Sequence, residues 1–118
     1  MIVTDSVEEN ILIAKEYKEL LKISYQSLSK DDRKLIRLAF NTSVDAHKNQ
    51  RRKSGEPYVF HPIAVAKIVA SKIGLDATCI ASALLHDVIE DTEYDAKRIE
   101  KLFGKTICKI VVGLTKIS

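Results

Sequence analysis

The stretch ATCIASALLHDVIED, residues 77–91, decides how this chain folds. It is apolar nearly all round up to Leu85, so as a helix it belongs in the centre of a helical domain and not on its surface. Asp76, just before it, has the side chain and the place to cap its first turn. The polar groups gather at its far end, where His86, Asp87, Glu90 and Asp91 follow Leu85 with no lysine or arginine among them. Read as one continuous helix, His86 and Asp87 point about 100° apart. Glu90 lies four residues after His86, and Asp91 four after Asp87, so all four share one broad sector. Carboxylates crowded beside apolar sequence repel one another and are poorly solvated unless a cation or a proton accompanies them.

The rest of the chain repeats the helical period. Residues 1–28 form an N-terminal helical segment, in which SVEENILIAKEYKELLKISYQSL carries a stripe through Val7, Ile11, Ala14, Tyr17 (or Leu20 and Leu21) and Ile23. Residues 29–118 carry the motifs. Ser29 with Asp32 three residues on makes a capping-box entry to a second helix, in which Leu35, Leu38, Ala39, Thr42 and Ala46 face inward. Ser-Gly and Glu-Pro then break the period, and residues 49–60 read as an ordered loop. Pro62 suits the first position of the next helix and Gly74 its end. Asp95 caps the short AKRIEKLF run, which stops at Gly104. The last run, KTICKIVVGLTKIS, reads as helix, although Gly113 and the Val-Val pair would also suit a strand that has no visible partner. The expectation is one all-α domain of about six helices, C-terminally incomplete because the final run is apolar and uncapped.

Composition narrows the function. The chain has 118 residues, 46% hydrophobic and 30% charged, enough for a single core. No apolar run reaches the ~18 residues of a membrane span, and the N-terminus lacks a basic segment before an apolar one. The formal net charge of +3 with no Trp gives no sign of a duplex reader. Cys79 and Cys108 lie in apolar sequence and read as buried thiols of a reducing, cytoplasmic compartment rather than a disulfide.

Imidazole with carboxylate suits Mn, Fe or Zn, and the lack of nearby thiolates argues against a structural zinc site. The competing reading is a solvated helix end with a structural histidine. A further ligand would come from His61, at a helix start, or from His47, at a helix end, and spacing does not choose between them. Asp45, Asp76 and Asp95 have other work as face or cap residues, so no fourth ligand emerges. The loop concentrates Lys48, Arg51, Arg52 and Lys53 within six positions, followed by Ser54 and Gly55. Such a cluster is either a solvated charge run or an anion receptor, in which Arg grips phosphate or stacks on a base.

AHKNQRRKSGEPYVFHPIAVAKIVA, ASALLHDVIEDTE and KLFGKTICKIVVGLTKI together closely resemble the hydrolase domain of the RelA/SpoT homologue family, within the HD superfamily, over roughly residues 30–117. The resemblance implies Mn²⁺-dependent removal of the 3′-pyrophosphate of guanosine tetra- or pentaphosphate, giving GDP or GTP plus pyrophosphate in the stringent response. By position it assigns His61, His86 and Asp87 to the metal, and so prefers His61 to His47. It assigns Glu90 and Asp91 to the attacking water, and Arg52, Lys53 and Ser54 to the nucleotide; Arg51 joins them from the loop's own charge. The family's fourth ligand, an Asp in a later Ala-Asp-Arg-Leu-His-Asn type motif, would fall beyond Ser118. So would the motif's Asn and any synthetase domain. The expectation is an active parent protein and a fragment of little or no activity, with apolar surface left for self-association. A nucleotide-binding regulatory module without turnover, or an HD phosphohydrolase for another nucleotide, are the alternatives.

Overall fold

The computed structural model describes residues 6–24, 28–72 and 75–117. The described residues form seven helices, α1 (Val7–Ile23), α2 (Lys30–Ala46), α3 (Phe60–Ala70), α4 (Ala77–Leu85), α5 (Val88–Asp91), α6 (Ala96–Phe103) and α7 (Lys105–Ile117). Among the described residues there is no strand, only an isolated bridge between Arg51 and Pro57. The all-α class therefore holds. The stop at Gly74 lies outside the described residues.

α4 is the axis. Ala77, Ile80, Ala81, Ser82, Ala83, Leu84 and Leu85 are all buried. Its alanines let neighbours approach on several sides, and α2, α3 and α7 all pack against it. Ser82 avoids an unpaired hydroxyl in this setting by donating to the Thr78 carbonyl at 2.8 Å. Asp76 caps the first turn through the Cys79 amide at 3.2 Å.

The helix does not continue to Asp91 as its composition suggests. The Ala83 carbonyl, which a regular α-helix would give to the Asp87 amide, instead faces the His86 amide at 3.4 Å and the His86 ring Nδ1 at 2.6 Å. α4 therefore ends at Leu85, His86 and Asp87 form a turn, and α5 is a separate single turn. The count rises from about six helices to seven for this reason.

α2 starts with the reciprocal Ser29–Asp32 capping box, both bonds 3.0 Å. Its buried side is Ile36, Ala39, Phe40, Thr42, Ser43 and Val44. Leu38, expected inside, is 40% exposed. α1 is rotated in the same way. Val7 and Ile11 are 71% and 62% exposed, Ile23 is exposed too, and the buried stripe is Ile13 and Leu20 with Tyr17 against Phe40. Two stripes one residue apart fit the same period. Packing between helices chooses between them, and in α1 the observed rotation also brings Glu16 and Glu19 to Lys67 of α3.

α3 begins at Phe60, so Pro62 is its third residue and not its first. The ring is tolerated there because first-turn amides have no partner inside the helix. Asp95 caps α6 through the Arg98 amide at 2.8 Å, and Gly104 closes it at φ +90°. Residues 105–117 are helical through Gly113 and the Val-Val pair. Cys79 and Cys108 are both free thiols.

His47, at the C-terminal end of α2, is 2% exposed, and burial lowers its pKa from the ordinary 6.5. The unfolded chain protonates this ring near 6.5, while the folded chain resists until lower pH. Folding stability therefore falls as pH drops from 7 through that window. Denaturant midpoints measured between pH 5 and 7.5 should rise with pH, and His47→Leu should flatten the slope. The packing predicts that Leu84→Ala costs about 2–5 kcal/mol, whereas Val7→Ala stays within about 0.5 kcal/mol, both read from urea unfolding. A costlier change at Val7 would place the wrong face of α1 inward.

Candidate metal centre

Two places in the fold deliver the site. His61 comes from the first turn of α3, and His86 and Asp87 from the turn between α4 and α5. One ligand atom from each residue lies within 4.8 Å of the others. Asp87 Oδ2 is the shared point, 3.0 Å from His86 Nε2 and 3.7 Å from His61 Nε2. The His61 and His86 rings stand edge to face with centroids 5.4 Å apart.

The protonation pattern follows from the contacts. His86 Nδ1 faces the Ala83 carbonyl, an acceptor only, so Nδ1 carries the hydrogen. In the neutral ring Nε2 is then a bare lone pair turned toward a carboxylate oxygen. Burial holds the His61 pKa below its usual value, against the pull of Asp87 and together with the charges of His86 and Arg52. Neutral imidazole is the ligating form. The His86 lone pair facing a carboxylate oxygen across 3.0 Å is poorly matched without a cation between them. Two donors each about 2.1 Å from one ion lie roughly 3–3.5 Å apart in tetrahedral or octahedral geometry. The residues present fit a divalent metal.

Asp87 is buried and is held by more than the histidines. The Tyr58 hydroxyl donates to Oδ2 at 2.7 Å. Burial, then this bond and the Asp87 charge, drive the Tyr58 pKa well above the ordinary phenol value, so it remains a donor. Sequence reasoning missed Tyr58. Its signal was its position, three residues before His61 in the loop that leads into α3.

His47 is not in the cluster. Its Nδ1 pairs with Gln50 Oε1 at 2.7 Å and its ring packs on Tyr58 with centroids 4.8 Å apart. Glu90 and Asp91 lie one turn past His86 and Asp87 and are exposed. The Asp91 amide donates to the Asp87 carbonyl at 3.0 Å, and the Asp91 charge is felt at both Tyr58 and His47.

The basic loop is an ordered tongue. Arg52 and Glu56 pair through the backbone at 2.9 Å, the Gly55 amide returns to the Arg52 carbonyl at 2.9 Å, and Gly55 sits at φ +99°, where a side chain would be strained. Arg51 is engaged inside the protein: both terminal nitrogens meet the Glu9 carboxylate at 2.8 Å, and one also meets the Gly55 carbonyl at 2.8 Å. This bond keeps Glu9 below the ordinary carboxylate pKa. Arg52 is nearly half exposed and only loosely paired to Glu56 at 3.7 Å. Its charge lowers the pKa of His61 and offsets the upward shift at Tyr58. Lys53 and Ser54 are exposed at the tip, where the Ser54 hydroxyl donates to Glu56 at 2.6 Å. Asp45, Asp76 and Asp95 serve as expected: Asp45 accepts from Tyr94 at 2.6 Å and the other two are caps. No helix among the described residues is long and apolar enough to cross a membrane.

Comparison with known proteins agrees with this geometry. The family model described as HD domain matches residues 39–118. The bifunctional (p)ppGpp synthase/hydrolase SpoT of Escherichia coli K12 is 43% identical over 101 residues, covering 86% of this chain and 14% of that protein. A probable guanosine-3′,5′-bis(diphosphate) 3′-pyrophosphohydrolase of Synechocystis is 49% identical over 84 residues, covering 71% of this chain and 11% of that protein. A probable GTP pyrophosphokinase of Mycobacterium leprae is 37% identical over 98 residues, covering 83% and 12%. The chain thus spans only about one seventh or less of the length of these relatives. With the family model covering all three cluster residues and most of the helices, the chain belongs to the HD domain family, in its RelA/SpoT type.

Proposed function

We propose that this chain supplies the metal-binding part of a hydrolase that removes the 3′-pyrophosphate of guanosine tetra- or pentaphosphate, releasing GDP or GTP and pyrophosphate. The observation that carries the reading is the His61–His86–Asp87 cluster with Arg52 set beside it. The names of two relatives, a (p)ppGpp synthase/hydrolase and a 3′-pyrophosphohydrolase, supply the substrate class.

In this reading His61, His86 and Asp87 hold Mn²⁺, which when bound polarises a phosphoryl oxygen and lowers the pKa of water. Three side chains leave positions for water, substrate and a further carboxylate. Tyr58 keeps Asp87 Oδ2 turned into the cluster and takes up one of its lone pairs. The Ala83 carbonyl fixes His86 in the tautomer that ligates. Either Glu90 or Asp91, one turn on, accepts the proton of the attacking water, a role worth about 10²–10⁴ in rate. Arg52 and Lys53 meet the nucleotide by charge and by stacking on the base, and Ser54 adds a hydroxyl. Arg51 contributes by holding the loop's shape from α1. A second reading, a nucleotide-holding module without turnover, draws support from the relative named a probable GTP pyrophosphokinase, a name that carries no hydrolase activity.

Mn²⁺ titration of the chain separates these elements. Asp87→Ala should weaken Mn²⁺ binding by roughly 100-fold or more, beyond the usual effect of an outer-shell change, while His47→Asn leaves it near the parent value. Unchanged affinity in Asp87→Ala would remove the metal assignment. Turnover is followed as pyrophosphate release from ppGpp with Mn²⁺, in the longest polypeptide that carries residues 1–118. Release should stop with EDTA and with Asp87→Ala. Binding of ppGpp without release would establish the module reading, and hydrolysis of GTP with none of ppGpp would overturn the substrate.

A further inference from the structure

We infer that Gln50 is a positioning residue for the acidic turn Val88–Asp91, oriented by His47 and tied through Tyr58 to the metal cluster. The kinetic consequence rests on the proposed role of Glu90 and Asp91; the positioning itself does not.

Gln50 uses every polar group it has. Its amide donates to the His47 carbonyl and its carbonyl accepts from the Tyr58 amide, both at 2.9 Å. Its side-chain Oε1 faces His47 Nδ1 at 2.7 Å, and its Nε2 donates to the Asp91 carbonyl. The orientation is forced. A backbone carbonyl only accepts, so the NH₂ end must face Asp91. Oε1 then faces His47, so His47 carries its hydrogen on Nδ1. Its Nε2 is left as a bare acceptor, and that atom is buried with no partner among the described residues. The ring cannot turn freely to relieve this, being 2% exposed and packed against Tyr58.

α5 needs such a support. Four residues are far too few to hold a helix alone. Two of its orphan carbonyls have named partners. Thr92 Oγ1 caps Val88 at 2.6 Å, and Gln50, from 41 positions earlier in the chain, caps Asp91. The first of these is local and moves with the turn. The second ties the turn to the end of α2, and the same Gln50 backbone holds Tyr58, whose hydroxyl holds Asp87. Both the cluster carboxylate and the acidic residues are therefore set from one residue. A misplacement near 1 Å at a reacting group costs about 100-fold in rate.

Gln50→Glu tests the link at one atom. It can still accept from His47 but has nothing to donate to Asp91. Hydrogen exchange of amides 88–94 should speed up about tenfold, with Mn²⁺ affinity within threefold of the parent. Where the polypeptide turns over ppGpp, kcat should fall about 10–100-fold and KM should stay within threefold. His47→Asn, whose amide nitrogen can replace Nδ1, should preserve parent exchange, and His47→Phe should not. Parent-like exchange in Gln50→Glu would overturn the inference, as would equal acceleration throughout the chain. A parent that never hydrolyses ppGpp would defeat the proposed function alone, since exchange still decides the positioning.

Discussion

Two donors of His86, its amide and its ring Nδ1, converge on the carbonyl of Ala83, and most of the site follows from that contact. It ends the central helix at Leu85, because the carbonyl is no longer free for the next regular bond. It fixes the tautomer that leaves Nε2 bare. It also turns Asp87 back so that a single oxygen lies near both imidazoles and the Tyr58 hydroxyl. Such a turn could not be held at the surface of a loose loop. It is held here because Leu84, Leu85 and Val88 on either side of it are fully buried. Burial of the flanks supplies the rigidity, and the turn directs it to three ligand atoms.

The charges around the turn are arranged with some separation. The acidic residues Glu90 and Asp91 lie beyond it on α5, and the cations approach from the loop. Arg51 and Arg52 are adjacent yet do different things. Arg51 is bound in bidentate fashion to Glu9 and again to the loop's own Gly55, so it braces the tongue against α1. Arg52 keeps only a long contact to Glu56, and its field reaches His61. The second guanidinium is thus the more weakly held of the two. A bidentate Arg–carboxylate pair is the stronger kind of ion pair, although at the surface its net worth is small.

Much of this was legible in the residues. The caps at Ser29, Asp76 and Asp95 were readable because a capping side chain acts within three residues of itself. The centrality of α4 was readable because a helix apolar all round has no solvent face to offer. The faces of α1 and α2 were not. Their patterns admit two stripes one residue apart, and the choice rests on packing between helices, α1 against α3 and α2 against α4. The break after Leu85 was hidden as well. Nothing in the order Leu-Leu-His-Asp-Val tells which donor wins the Ala83 carbonyl; that is decided by where the His86 ring is held.

The three histidines show the same limit at the site. Each stands at or near a helix terminus, so spacing alone treats His47 and His61 alike. Their surroundings differ. His61 is partly open and faces Asp87, whereas His47 is sealed behind Tyr58 with its hydrogen directed to Gln50. A ligand needs a lone pair that reaches the ion, and the lone pair of His47 is buried where no partner meets it. Sequence types name the candidates for a metal; the second nitrogen of each ring decides among them. His86 is committed through Nδ1 to a carbonyl next to the cluster, and His47 to an amide that leads away from it toward α5. The same kind of contact thus turns one ring's free nitrogen toward Asp87 and binds the other ring to Gln50.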